Sequence, residues 1–174
     1  MNLEIERKFL VRDDRWREAA TNAQRLRQAW LANTGRCSVR VRSAEDRGWI
    51  SVKSMRPGRC REEYEYAIPV ADAKALFGTL AEGPAVEKLR HAVPAGRHRF
   101  ELDEFEGANR GLVIAEIELE SAEEVFERPD WLGDEVTDDI RFYNFRLAAK
   151  PFVDWPGAWR EAVARGRAPP GDGS

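Results

Sequence analysis

The chain has 174 residues, 43% of them hydrophobic and 34% charged, with 28 lysines and arginines against 31 aspartates and glutamates and a formal net charge of -3. That size and composition fit one compact domain with its own core, and the near balance of signs excludes the general basic footprint of a nucleic-acid binder. No apolar run approaches the roughly 20 residues that cross a bilayer, and charge begins at Glu4, so neither a membrane span nor a signal peptide is expected and the expected compartment is the cytoplasm. The two cysteines, Cys37 and Cys60, form no CxxC or Cys/His arrangement and read as ordinary thiols, not a zinc site or a disulfide framework.

In chain order, Leu3 to Val11 alternates with period 2 and predicts a strand. Asp13 and Asp14 offer helix caps, and the Trp16, Ala20, Leu26 segment after them is expected to be helical at least in part. Arg25 to Asn33 follows as a strand. Ser38 to Ser43 and Trp49 to Lys53 alternate on either side of Glu45-Asp46-Arg47-Gly48, which is a hairpin signature. Pro57-Gly58 marks a loop. Arg61 to Ile68 predicts a strand with Glu63 and Glu65 on one face and Tyr64, Tyr66 and Ile68 on the other, ended by Pro69. Asp72 to Leu80 carries Ala73, Leu76, Phe77 and Leu80 at helical spacing.

Val86 to His91 and Arg97 to Phe105 read as strands around Pro94-Ala95-Gly96, and Val113 to Glu120 as another after a Gly107 to Gly111 turn. Short links favour antiparallel pairing. Ser121-Ala122-Glu123-Glu124 resembles a capping box opening a short helix. Thr137 is expected to cap a helix through Ile140, Phe145 and Leu147, one more short helix lies around Trp159 and Val163, and a disordered end is expected from Gly166.

Ionisable residues occupy one face of nearly every strand, and they are sorted by strand. Lys8, Arg40, Arg42, Lys53, Lys88, Arg90 and Arg99 supply positive charge, and Glu4, Glu6, Glu63, Glu65, Asp103, Glu116 and Glu118 negative charge. The other faces carry Leu3, Ile5, Val39, Val41, Ile50, Val52, Tyr64, Tyr66, Leu89, Phe100, Leu102, Ile117 and Leu119; they must be buried, and the amphipathic helices can cover them. Two arrangements satisfy this pattern. In one the sheet is open and its charged face is solvated. In the other the sheet curls so that the charges line an interior, where they need partners. Arginine and lysine suit phosphate oxygens; glutamates suit a hard cation such as Mg²⁺ that bridges to phosphate. An interior with both matches a metal-bound polyphosphate.

The same residues resemble the CYTH superfamily, or triphosphate tunnel metalloenzymes. Glu4-Ile5-Glu6-Arg7-Lys8 matches the family's ExExK motif, and Arg40 and Arg42, Lys53, Glu63 and Glu65, Lys88 and Arg90, Asp103, and Glu116 and Glu118 follow in the family's order. Gly111 to Leu119 and Trp131 to Thr137 resemble the short bacterial branch, and the resemblance covers about Met1 to Pro151. Trp30 departs from it, since relatives often carry tyrosine there.

The resemblance implies an α+β fold: an eight-stranded antiparallel β-barrel, or tunnel, with a charged interior and helices packed outside. Residues 1–155 would form the tunnel domain and 156–174 a short helix and tail. It implies Mg²⁺ or Mn²⁺ as cofactor. Lys8, Arg40, Arg42, Lys53, Lys88 and Arg90 would hold triphosphate, Glu4, Glu6, Glu116 and Glu118 would hold metal, and Glu63, Glu65 and Asp103 would line the tunnel. Lys8, Glu4, Glu6 and Lys88 would be the catalytic set. Arg61, Arg99, Glu120 and Arg141 are weaker candidates.

The implied reaction is hydrolysis of a terminal phosphoanhydride by metal-activated water, with no protein nucleophile. His91 and His98 have no Ser or Cys partner in a recognisable arrangement and read as packing or surface residues. Inorganic tripolyphosphate is the leading substrate, ahead of thiamine triphosphate and of ATP cyclised by a class IV-type adenylate cyclase. A non-catalytic polyphosphate-binding module is the rival of another class. The expected partners are a small-molecule triphosphate and neither nucleic acid nor membrane, with the chain a monomer or homodimer.

Overall fold

The computed structural model describes residues 3–54 and 60–171. The Pro57-Gly58 loop lies outside the described residues, as do the side chains of Leu3, Cys60 and Arg61. The strands are β1 (Leu3–Val11), β2 (Thr21–Asn33), β3 (Cys37–Ala44), β4 (Arg47–Ser54), β5 (Cys60–Pro69), β6 (Val86–Ala95), β7 (His98–Phe105), β8 (Val113–Glu118) and β9 (Leu132–Glu135). The helices are α1 (Val70–Thr79), α2 (Asn144–Ala149) and α3 (Gly157–Ala164). One antiparallel sheet runs β5-β4-β3-β2-β6-β7-β8-β1-β9. Residues 3–5 of β1 also pair with Glu62–Cys60 of β5, so the ring of eight neighbours returns to its start over three residue pairs. Beyond them β9, a ninth strand that the alternation did not reveal, takes the free edge of β1 at Phe9 and Val11.

Period-2 alternation places β1 between two environments. Phe9 and Val11, with Ile5 packed against them, join an outer core with Trp16, Val93, Phe100, Leu102, Ile117, Leu119 and Trp131. Glu4, Glu6 and Lys8 point the other way, onto a cavity. At one end the inner face changes character: Lys8 is followed by Leu10, Glu116 preceded by Ile114, Asp103 followed by Phe105, Lys88 preceded by Val86 and Gln28 followed by Trp30. These five apolar residues share a core with Leu147 of α2, Phe152, Trp155 and Val163 of α3. The segment after Pro151 therefore backs an apolar plug at that end, while α1 covers Ala29 and Val41 on the outside.

Several expected elements are corrected. The stretch after Asp13 is a five-residue 3-10 turn, Asp14–Glu18, with Asp13 accepting from the Arg15 amide at 3.1 Å. The chain is already extended from Thr21, because Gln24 to Gln28 pair with Arg90 to Val86 of β6, and this cross-strand pairing overrides local helical preference. No helix opens at Ser121: Glu124 accepts from the Glu120 amide at 2.6 Å, but the turn serves to hold His98, 2.9 Å from Glu124. Thr137 is no cap either; its hydroxyl donates to Glu135 at 2.7 Å and accepts from the Lys8 amide at 3.0 Å. Asp139 caps the short 3-10 turn Ile140–Phe142 that precedes α2. Tyr64 and Tyr66, expected under a helix, are 45% and 60% exposed, since α1 ends short of them. The tail expected to be disordered from Gly166 is docked up to Pro170. The Asp134 amide donates to Gly166 at 2.8 Å, and Arg141 donates to the Pro170 and Pro169 carbonyls at 2.9 and 3.1 Å.

Candidate active site

Strand alternation delivers the charges to one place. A cavity of about 840 Å³ is lined by Glu4, Glu6, Lys8, Arg40, Arg42, Lys53, Glu63, Glu65, Lys88, Arg90, Glu116 and Glu118, so twelve of the thirteen expected site residues meet there. The thirteenth, Asp103, is fully buried behind the wall, where it binds Lys88 and accepts from Arg90 Nε and Nη2 at 2.6 and 2.7 Å. Of the weaker candidates, Arg99, Glu120 and Arg141 do not join them, and the Arg61 side chain lies outside the described residues. Arg99 is 65% exposed beside Glu101, Glu120 lies in the turn after β8, and Arg141 is spent on the tail.

Sequence reasoning missed Glu101 and Asp138, which also line the cavity, together with Ile140, Tyr143, Asn144 and Phe145. Glu101 was within reach, since it sits two residues from Asp103 on the same strand face and accepts from Arg90. The 138–145 segment arrives only through the tertiary fold. Among the described lining residues, eight carboxylates (with Glu101 and Asp138) face six cationic side chains.

The cationic groups are held very differently. Lys8 is buried against Glu116 and, at 3.1 Å, Glu6. Burial disfavours its charge, but the two carboxylates outweigh that and raise its pKa. Lys88 is equally buried, with Asp103 as its ion-pair partner and Asn144 Oδ1 accepting at 3.4 Å. Here burial, helped by the neighbouring Arg90, outweighs Asp103, and the lysine is pushed down to about 8. Asp103 itself stays ionised, held down by Arg90 and Lys88 against the effect of burial. Arg90 is saturated by Asp103, Glu101 and, at 2.9 Å, Glu116. Lys53 sits between Glu4 at 2.7 Å and Glu63 at 2.9 Å. Arg42 pairs with Glu65 at 2.9 Å and lies over the Trp49 ring at 5.2 Å. Arg40 makes only long contacts, 3.3 Å or more, to Gln28, Ser51, Glu63 and Glu65.

Whether the carboxylates suit a metal depends on their spacing. Among the described residues no three of them already stand together at ligating distance. Glu6 and Glu118, however, are direct cross-strand partners of β1 and β8, and two like charges so placed repel unless a cation lies between them. Glu118 makes no ion pair with any described residue. A pair of carboxylates that leaves room for water and phosphate oxygens fits a hard, six-coordinate divalent ion. Glu4, Glu6 and Glu116 are already paired with Lys53 and Lys8 and would have to share or exchange those partners to hold it. The histidines do not line the cavity: His91 packs on Trp16 and faces Glu104, and His98 packs on Phe126 and sits 2.9 Å from Glu124.

The CYTH domain family model matches residues 2–144. An inorganic triphosphatase of Acetivibrio thermocellus is 43% identical over 155 residues, covering 89% of this chain and 99% of the relative. One of Nitrosomonas europaea is 38% identical over 150 residues, covering 83% and 96%. The crystal structure of an inorganic triphosphatase matches with a TM-score of 0.60 and 33% identity, over 88% of this chain and 97% of that one. With the charged interior in place and relatives aligned along nearly their whole length, the chain belongs to the CYTH domain family.

Proposed function

We propose that this protein is a divalent-metal-dependent hydrolase of linear triphosphates that cleaves inorganic tripolyphosphate to pyrophosphate and phosphate. One observation carries the reading: among the described residues, the cavity wall brings carboxylates and cationic side chains together from β1 and from β3 through β8. A bare polyanion faces the wall carboxylates, and a cation bound to those carboxylates takes them from the lysines and arginines they now pair with. Metal-bound triphosphate answers both. The names of the two curated relatives point to the same substrate.

In this reading Lys53, Arg40 and Arg42 hold the outer phosphates, and Lys8, Lys88 and Arg90 surround the phosphoryl group that is transferred and stabilise the charge spread over its oxygens. Glu6 and Glu118, with Glu4 and Glu116, would hold Mg²⁺ or Mn²⁺, which would supply charge neutralisation for phosphate and activation of water. Lys8, already paired with Glu6 and Glu116, is placed to keep those carboxylates ionised and oriented. Asp103 keeps Lys88 and Arg90 aimed at the cavity from behind. We place the protein in the cytoplasm, acting as a monomer or homodimer; no described helix is long and apolar enough to cross a membrane.

A panel of tripolyphosphate, thiamine triphosphate and ATP with Mg²⁺ and with Mn²⁺ tests this. Phosphate release is expected to be fastest from tripolyphosphate. Formation of cyclic AMP as the main product from ATP would contradict the hydrolase and favour a cyclase.

A further inference from the structure

Five buried side-chain nitrogens among the described residues lack a hydrogen-bond partner, and three of them lie in one patch of the cavity wall: Gln28 Nε2, Arg40 Nε and Arg42 Nε. Gln28 is fully buried and stands directly across β2 and β3 from Arg42. Its carboxamide oxygen accepts from Arg40 Nη1 at 3.5 Å. On the other side of Arg40, Nη2 donates to Ser51 Oγ at 3.3 Å, and Ser51, itself buried, donates to Glu65 at 2.6 Å. Among the described residues Arg40 thus has two neutral oxygens, at 3.3 and 3.5 Å, beside the carboxylates of Glu63 and Glu65 at 3.5 and 3.6 Å, and no short ion pair. Arg90, two strands away on β6, is saturated by three carboxylates. A glutamate at residue 28 would have neutralised Arg40 in the same way.

Resting on the triphosphatase reading, we propose that Gln28 is a positioning residue for substrate: it holds the Arg40 guanidinium turned into the cavity without cancelling its charge, so that Arg40 is free to grip phosphate oxygens. Neutral support matters because a charge-assisted contact from arginine to phosphate is about twice as strong as a neutral one and is forfeited if a wall carboxylate occupies the guanidinium first.

The test compares Gln28→Met and Gln28→Glu with the wild type by steady-state hydrolysis of tripolyphosphate with Mg²⁺, and by thermal unfolding with and without a methylene-bridged triphosphate analogue plus Mg²⁺. Loss of the support is expected to raise KM about tenfold in Gln28→Met, and installation of the carboxylate to raise it up to about a hundredfold in Gln28→Glu, with kcat within about twofold in both. The unliganded Tm of Gln28→Met should not fall, because the variant deletes a buried donor that has no partner, and the analogue's stabilisation should shrink from wild type to Met to Glu. A residue that merely supplies an acceptor to the wall predicts the reverse order, since glutamate keeps that oxygen. Wild-type KM in Gln28→Glu, or a lowered unliganded Tm with unchanged KM in Gln28→Met, would overturn the proposal and leave the triphosphatase reading standing. A wild-type protein that neither hydrolyses tripolyphosphate nor is stabilised by the analogue would overturn both.

Discussion

Two buried lysines in the same cavity differ in their charge, and the difference follows from what surrounds each. Lys8 has two carboxylates within reach and stays protonated throughout the physiological range. Lys88 shares its single carboxylate with Arg90, so burial wins and its pKa falls to about 8. Only the protonated lysine attracts phosphate, so kcat/KM of the free enzyme is expected to decline as pH rises through about 8. In Lys88→Arg, whose guanidinium remains charged, that alkaline limb should move up by more than one pH unit. A pH–rate profile with an unchanged limb in the variant would assign the titration to another group. Stability should run the other way: Lys88 has the lower pKa in the folded state, so its contribution rises with pH between about 8 and the ordinary lysine value near 10.4. Apart from Lys53, the charged residues read from strand alternation each sit two positions from another charged residue. Gln28 and Ser51 could not be read that way, since neutral polar residues leave no trace in a charge pattern. Asp138 and Asn144 reach the cavity from a segment with no strand periodicity at all.

Elements with a strong period were readable and those defined by long-range pairing were not. The β3–β4 hairpin forms where its alternation and its turn residues place it, with Ala44 paired to Arg47. The start of β2 was read as partly helical because its neighbour in the sheet, β6, lies more than sixty residues away in sequence. The four-residue β9 exists only as an edge partner of β1. Gly48 shows the same dependence on distant structure. A Cβ at that position would lie 2.8 Å from Ala73 Cβ and 3.1 Å from the Ile68 carbonyl oxygen, so glycine is what lets α1 settle on β4. Gly48→Ala is expected to lower stability by about 1–3 kcal/mol through overpacking. Because the contact lies on the outside of the sheet, the folded fraction should keep its KM. Unfolding in urea measures the first effect and kinetics below the transition the second; a variant as stable as wild type would mean that α1 does not bear on β4 as closely as the structure shows.

At the scale of the molecule, the inner face of the sheet carries charge along most of its length and then turns apolar within one residue pair on five strands. That switch, Lys8 to Leu10 and Glu116 to Ile114 among them, puts the plug built with α2 and α3 beside the charged cavity, with Trp30 and Phe145 facing both. Alternation showed that charges share a face, but it left open whether that face is solvated or enclosed; the return pairing of β1 with β5, which decides it, involves residues nearly sixty positions apart. Enclosure is what gives the facing carboxylates their meaning, since like charges such as Glu6 and Glu118 would cost little in open water. The most direct test is phosphate release from tripolyphosphate by the wild type and by Glu6→Ala, each with Mg²⁺ and with EDTA. Activity in the wild type that is abolished by EDTA, and reduced at least about a hundredfold in Glu6→Ala with little loss of Tm, is the predicted result. Full phosphate release in EDTA, or in Glu6→Ala, would contradict the account.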